Sequence, residues 1–223
     1  MKIEFNKILA IGAHFDDIEI CSGGTIAKFC KAGSEVKMIV VGDGDYKNYD
    51  GTILRTKEVA LNEGRDAMNK LGIDSKNLIA FNHQEKRITF GEKLIDEIEK
   101  VIVDFKPDLI ITHWLHDCHQ DHVAVANAVI SAARYYHSIW MWEPIFPSGR
   151  VTTVPFVPQV YVDISDFGSI KNEAIRTHKS QHDKFYGRGI KWVEGIEARA
   201  KFRGFESNSD LAETFFVFRH KIS

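Results

Sequence analysis

Four stretches of the chain are apolar at almost every position, and each runs into a segment with helical spacing of apolar residues. Ile8–Ala13 is a continuous apolar run and reads as a strand buried on both faces; Glu35–Val41 and Asp108–Thr112 read as buried strands, and Asn77–Phe81 as a further strand. Between and after them the spacing predicts helices: one ending before Gly33, one over Ile53–Leu71 stopped by Gly72, one over Gly91–Phe105, and an apolar one from Val123. Ser22-Gly-Gly-Thr25 predicts close approach of the first helix to its strand. Beyond this lie a short strand at Ser138–Trp142, a proline-rich loop at 146–158, and a strand at Gln159–Ile164. Helices over Asp166–His182 and Lys191–Phe205 and a last strand at Leu211–Phe218 complete the chain. The alternation predicts an α/β fold, a Rossmann-like doubly wound and mostly parallel sheet flanked by helices. In the common 3-2-1-4-5 order the first and fourth strands are neighbours, and ligands bind beyond their carboxyl ends. No repeat, low-complexity tract or linker interrupts the pattern, so residues 1–223 read as a single domain.

Composition narrows the function classes. A hydrophobic content of 44% and charged content of 27% are those of a soluble globular chain. The net charge of -2 gives no basic field for nucleic acid or an anionic membrane. No apolar run reaches the ~18 residues of a membrane helix. The amino-terminal apolar stretch is too short for a secretion signal, so a cytoplasmic location is expected. Cys21, Cys30 and Cys118 form no C-x-x-C pair and read as reduced, buried thiols, Cys118 being assigned to packing. The G-x-G-x-x-G fingerprint of dinucleotide sites is absent.

The candidate chemistry sits at two strand ends. His113-Trp-Leu-His116-Asp117-Cys-His119-Gln-Asp121-His122 holds four of the ten histidines, directly after the fourth strand. Imidazole and carboxylate together suit zinc and neighbouring divalent metals, and His119 and His122 share a helical face. Asp117 and Gln120 have the spacing of a capping box. The first strand ends in His14-Phe15-Asp16-Asp17, where charge at a buried strand end is costly unless partnered. His14 and Asp17 suit a metal, leaving Asp16 to act on water. The polar Gly42–Gly51 loop is a natural substrate rim. Arg55, in the predicted first turn of its helix, opposes the helix dipole, which hints at a pairing or substrate-binding role. Trp140, Trp142 and Trp192 offer either core packing or sugar-stacking faces.

These motifs resemble the LmbE-like (PIG-L) N-acetylglucosamine deacetylases. The family motif A-H-P-D-D-x-E stands here as Ala13-His14-Phe15-Asp16-Asp17-Ile18-Glu19, and D-x-H-x-D-H as Asp117 to His122. Gly23-Gly24-Thr25, Glu63, Leu71-Gly72, the Lys171, Ala174, His178, Ser180-Gln181 pattern, Arg203-Gly204 and Ala212–Phe215 extend the resemblance over most of the chain. It implies a zinc-dependent hydrolase that removes an N-acetyl group from an N-acetylglucosamine-type substrate, whether glycoside-, nucleotide- or lipid-linked. The implied metal ligands are His14, Asp17 and His122, with iron(II) or cobalt fitting the same set. Asp16 is the implied general base, and His119 the implied oxyanion stabiliser or proton donor, oriented by Asp121. Either Asp16 or His119 protonates the leaving amine, and Arg55 is a candidate substrate-binding residue. The expected partner is a small amino sugar, with a homo-oligomer left open. Two alternatives remain: an amidase for another acyl or thiol-conjugate amide, and a non-catalytic metal-dependent sugar-binding module. The chain departs from the pattern at Phe15, which replaces a proline, and in an Arg55-to-Leu71 helix that reads as one turn too long.

Overall fold

The computed structural model describes residues 5–136, 138–145 and 154–221. The strands are β1 (Lys7–Gly12), β2 (Glu35–Gly42), β3 (Tyr46–Lys47), β4 (Ile53–Arg55), β5 (Leu78–His83), β6 (Leu109–Thr112), β7 (Ile139–Trp142), β8 (Val160–Asp163) and β9 (Ala212–Arg219). The helices are α1 (Asp17–Lys31), α2 (Lys57–Leu71), α3 (Glu92–Phe105), α4 (Gln120–Ala132), α5 (Gly168–Thr177), α6 (Lys179–Tyr186) and α7 (Trp192–Ser207). One sheet runs in the order β5-β2-β1-β6-β7-β9-β8. Its first five strands are parallel, and β9 and β8 close one edge antiparallel.

Alternation along the buried strands divides the core. Leu9, Ile11, Ile39, Val41 and Ile110 join Leu94, Ile98 and Ile102 of α3 and Val125 and Val129 of α4. Their neighbours Ile8, Ala10, Met38, Leu109 and Ile111 join apolar residues of α1, α2, α5, α6 and α7 on the other face. Burying each such side chain is worth about 1.5–3 kcal/mol, so a sheet apolar on both faces is held between two helical layers.

Several boundaries differ from the sequence reading. Ile53–Arg55 is not helical: it pairs antiparallel with β3, and α2 begins after Thr56, whose hydroxyl accepts from the Val59 amide. The helix is therefore shorter by its first turn than the sequence reading of Ile53–Leu71. The stretch 166–182 is two helices, broken at His178, because Glu63 of α2 accepts from both the amide and the hydroxyl of Ser180 and restarts the chain as α6. Asp117 does not cap α4; His119 is the cap, its Nδ1 accepting from the Asp121 amide. Cys118 is exposed rather than packed, while Cys21 is buried and Cys30 half-buried. Gly24 makes room for Ile164, beside β8, and not for β1.

Phe15, which stands where the family pattern has proline, packs its ring into the core. Its ring is buried with Val40 and Ala60, and a Cβ placed on Gly64 would stand 2.6 Å from its Cδ1. Gly64→Ala gains about 1 kcal/mol of helix propensity but overpacks a ring with nowhere to go, at about 1–3 kcal/mol. A net loss of stability is expected, read as a lower urea midpoint; a raised midpoint would mean that the ring is not fixed there.

Candidate metal centre

The register of β1 against β6, with Ile11 opposite Thr112, brings the two motifs out of the sheet side by side. The Ala13 amide donates to His113 Nε2 at 2.9 Å, tying the two strand ends together. The chain then turns into α1. The His14 amide donates to Asp17 Oδ2 at 2.7 Å, and Asp16 takes φ 134°, ψ -23°. A non-glycine residue there is strained by about 1–3 kcal/mol, a cost that persists where the surroundings impose it.

Three electron-pair donors converge at this turn. His14 Nδ1 and His122 Nε2 are 3.2 Å apart, His14 Nδ1 is 3.5 Å from Asp17 Oδ2, and His122 Nε2 is 3.4 Å from Asp17 Oδ1. Tetrahedral zinc with ligand bonds near 2.0–2.1 Å separates its ligand atoms by roughly 3.3 Å. The far nitrogens are already engaged: His14 Nε2 lies 3.0 Å from Asp121 Oδ2, and His122 Nδ1 lies 2.9 Å from Asp117 Oδ2. Carboxylates on those nitrogens fix each ring and leave the inward nitrogen free for a metal. The donor set fits a divalent ion.

Other groupings of the same residues fit less well. His113 also lies near Asp17 and His122, but its Nε2 lone pair accepts the Ala13 amide proton. His119 lies near His14 and His122. Its Nδ1 accepts from the Asp121 amide, which leaves an Nε2–H donor.

Burial and mutual charge set the protonation pattern. Asp16 is pushed up to about 6, by burial first and then by the Asp17 charge, against the pull of Arg55. Burial would also raise Asp17, but His122, His113 and His14 hold it well below the carboxylate range. Burial lowers His14 and His122, yet Asp17 and the flanking carboxylates outweigh it; His14 ends well above its ordinary value and His122 at about 9. His113 is lowered to about 4 by burial and His122, and His119 to about 4 by burial, His14 and His122. One expectation changes. The Asp121 carboxylate does not orient His119; it is on His14 Nε2 and the Lys86 and Ile88 amides, and only the Asp121 backbone amide meets His119.

The site opens into a cavity of about 370 Å³, whose walls include Asp16, His119, Arg55 and Trp142. Arg55 is buried, with Nε on Gly44 O at 2.9 Å, Nη1 on Phe15 O at 3.2 Å and Nη2 on Glu85 Oε1 at 2.9 Å. It clamps the carbonyl before Asp16, so the buried guanidinium is satisfied by protein. Trp140, Trp142 and Trp192 are all buried, and only the last two reach the cavity. Tyr46, inside the Gly42–Gly51 loop expected as a substrate rim, also lines it; sequence reasoning missed Lys86, Lys184 and Arg188, which line it too. Lys86 sits in a loop with no motif around it, and Lys184 and Arg188 follow the Ser180-Gln181 pair on α6 and in the turn after it.

A model of the PIG-L family, described as GlcNAc-PI de-N-acetylase, matches residues 9–133, from β1 through α4 and across both motifs. The chain belongs to the PIG-L family. Among its relatives, the uncharacterized deacetylase YaiS of Escherichia coli K12 is 31% identical over 179 residues, 78% of this chain and 90% of its own. The diacetylchitobiose deacetylase of Thermococcus kodakarensis is 28% identical over 225 residues, covering 86% and 83%. In solved structures, the N,N'-diacetylchitobiose deacetylase of Pyrococcus horikoshii superposes with a TM-score of 0.81 at 22% identity, over 96% of this chain and 84% of that one. The 4-carboxy-2-hydroxymuconate hydratase of Pseudomonas putida also reaches 0.81, at 17% identity and 98% coverage of each chain. At these identities the superpositions establish the shared fold and leave the reaction to the site. Among the described residues no helix is long and apolar enough to cross a membrane.

Proposed function

We propose that this chain is a metal-dependent N-deacetylase that hydrolyses the acetamido group of an N-acetylglucosamine-type sugar, working as one domain. The observation that carries the reading is the convergence of His14 Nδ1, His122 Nε2 and the Asp17 carboxylate within 3.5 Å of one another, with Asp16 lining the same cavity. These three residues would hold zinc, and iron(II) or cobalt suits the same donors. When bound, the ion supplies Lewis acidity toward water and toward an amide carbonyl.

The chain's own groups divide the remaining work. Asp16, with a pKa near 6, is ionised at neutral pH and close enough to it to take a proton from attacking water and return it to the departing nitrogen. His119 is a poor proton reservoir at a pKa near 4; its Nε2–H serves as a hydrogen-bond donor to the developing oxyanion. That distribution favours Asp16 as the group that protonates the amine. Asp121 and Asp117 orient His14 and His122, and Arg55 positions the Asp16 turn rather than gripping substrate.

Acetate release from N-acetylglucosamine and its glycosides tests the reading, measured on zinc-loaded protein before and after chelation. Release that stops with chelator and returns with zinc is the expected result. Turnover of non-sugar amides alone would move the site to a different acyl substrate.

A further inference from the structure

The break between α5 and α6 sets one imidazole into the core beside the first turn of α1. His178 takes φ -77°, ψ 63° there and is fully buried. Its backbone is engaged: the amide donates to Ile175 O at 3.2 Å, and the carbonyl accepts from the Gln181 and His182 amides. Its ring is not. Among the described residues neither Nδ1 nor Nε2 has a hydrogen-bond partner. Nε2 lies 3.4 Å from Glu19 Oε1, an ion-pair distance without hydrogen-bond geometry. Glu19 is itself buried on α1, three residues after Asp16, and His178 is its one charged partner among the described residues. A buried polar group left unpaired is costly, so a fold that keeps two on one ring calls for a reason.

Asp16 supplies that reason. Its carboxylate makes no capping hydrogen bond to α1, although it stands at the cap position. Burial and Asp17 push its pKa up, and Arg55, His178 and His14 pull against them. Two of these three cations are committed elsewhere. Arg55 is held by Gly44, Phe15 and Glu85, and His14 by Asp121 on one nitrogen and the metal position on the other. His178 is the one whose ring nitrogens are both uncommitted. The pull is mutual: burial lowers His178, but Glu19 and then Asp16 outweigh it and leave the ring above its ordinary value. Neither Glu19 nor His178 is among the described residues that line the cavity, whereas Asp16 is. The pair therefore meets the reaction through Asp16 and not by touching substrate.

We infer that Glu19 and His178 form a positioning pair for Asp16: Glu19 holds the imidazole in place, and the imidazole steers the Asp16 carboxylate for its proton transfers. The inference rests on the deacetylase reading for the reaction and adds two residues that act on it from outside the cavity. It also gives the break at His178 a purpose, since a continuous helix through 166–182 would carry the ring on another path.

Acetate release from N-acetylglucosamine and zinc affinity are compared in the full chain for His178→Gln, Glu19→Gln, Asp16→Asn and the Asp16→Asn, His178→Gln double variant. Each substitution in the pair is expected to lower kcat by about 10–100-fold, the cost of a misplaced reacting group, with KM and the zinc Kd each changed by less than about twofold. In the Asp16→Asn background, His178→Gln is expected to cost no further rate, because the carboxylate it steers is gone. Thermal melts establish that the variants are folded, and the isosteric Glu19→Gln carries the test if His178→Gln is not. Wild-type kcat in either folded variant overturns the inference, as does a full additional loss on top of Asp16→Asn. A loss that appears in KM or in zinc affinity rather than in kcat also overturns it, since the pair would then shape the substrate site or hold the metal ligands. Absence of acetate from the wild type removes the deacetylase reading and the pair's role with it. Wild-type release with unaffected variants removes the pair alone.

Discussion

Asp16→Asn is expected to lower kcat by about 10²–10⁴-fold, the range for loss of a positioned general base, while the protein keeps its metal. The substitution preserves shape, and asparagine tolerates positive φ better than most residues, so the strained turn at φ 134° should survive. What disappears is the carboxyl whose pKa is pushed up to about 6 by burial and a neighbouring carboxylate. Its sign fixes the pH profile. Asp16 works when ionised, so wild-type kcat should rise as pH increases through about 6 and then level off. In the variant that limb should vanish together with most of the rate. Kinetics from pH 5 to 8, with metal content measured on both proteins, check this. An Asp16→Asn enzyme that retains wild-type turnover and the same rising limb would take the base role away from Asp16.

Asp17→Asn should act through the metal instead. Among the described residues, Asp17 is the one carboxylate paired with His14, His113 and His122 at once. Loss even of groups that only orient a ligand typically weakens metal binding 10–100-fold, so loss of this ligand's charge should weaken it by about 100-fold or more. Acetate release should fall in proportion and recover partly at high zinc. The metal-free variant should also be less stable at neutral pH. Asp17 has a folded pKa well below its ordinary value, so its stabilisation is present above the unfolded value and is lost as pH falls through the folded one. The stability difference between wild type and variant should therefore shrink on acidification. Full metal occupancy in Asp17→Asn at stoichiometric zinc would exclude Asp17 as a ligand.

The contrast between these residues and the rest of the cavity marks how far the sequence reaches. Buried apolar runs report strands directly, because a sheet covered on both faces has no polar alternation to confuse the reading. Strand order then places His14 and His122 together across 108 positions of chain. Arg55 reads as helical because a three-residue strand and the helix after it share one amphipathic stretch, and only Thr56 marks the boundary. The break at His178 depends on Glu63, more than 100 residues away, which no local pattern can report. Asp121 presents the same difficulty at shorter range. Its place in a histidine-rich motif suggests His119 as its partner, but the start of α4 turns its carboxylate to His14. The cavity lysines are invisible for a further reason. A lysine on a helix face is ordinarily solvated, and only the fold brings Lys184 and Lys86 onto one tyrosine.

The most direct test of the account is a zinc titration of metal-free protein, following acetate release from an N-acetylglucosamine substrate. If His14, Asp17 and His122 form the single catalytic centre, the rate should climb linearly and break at one zinc per chain. Acetate release at full rate in metal-free protein, or a rate indifferent to added zinc, would contradict it.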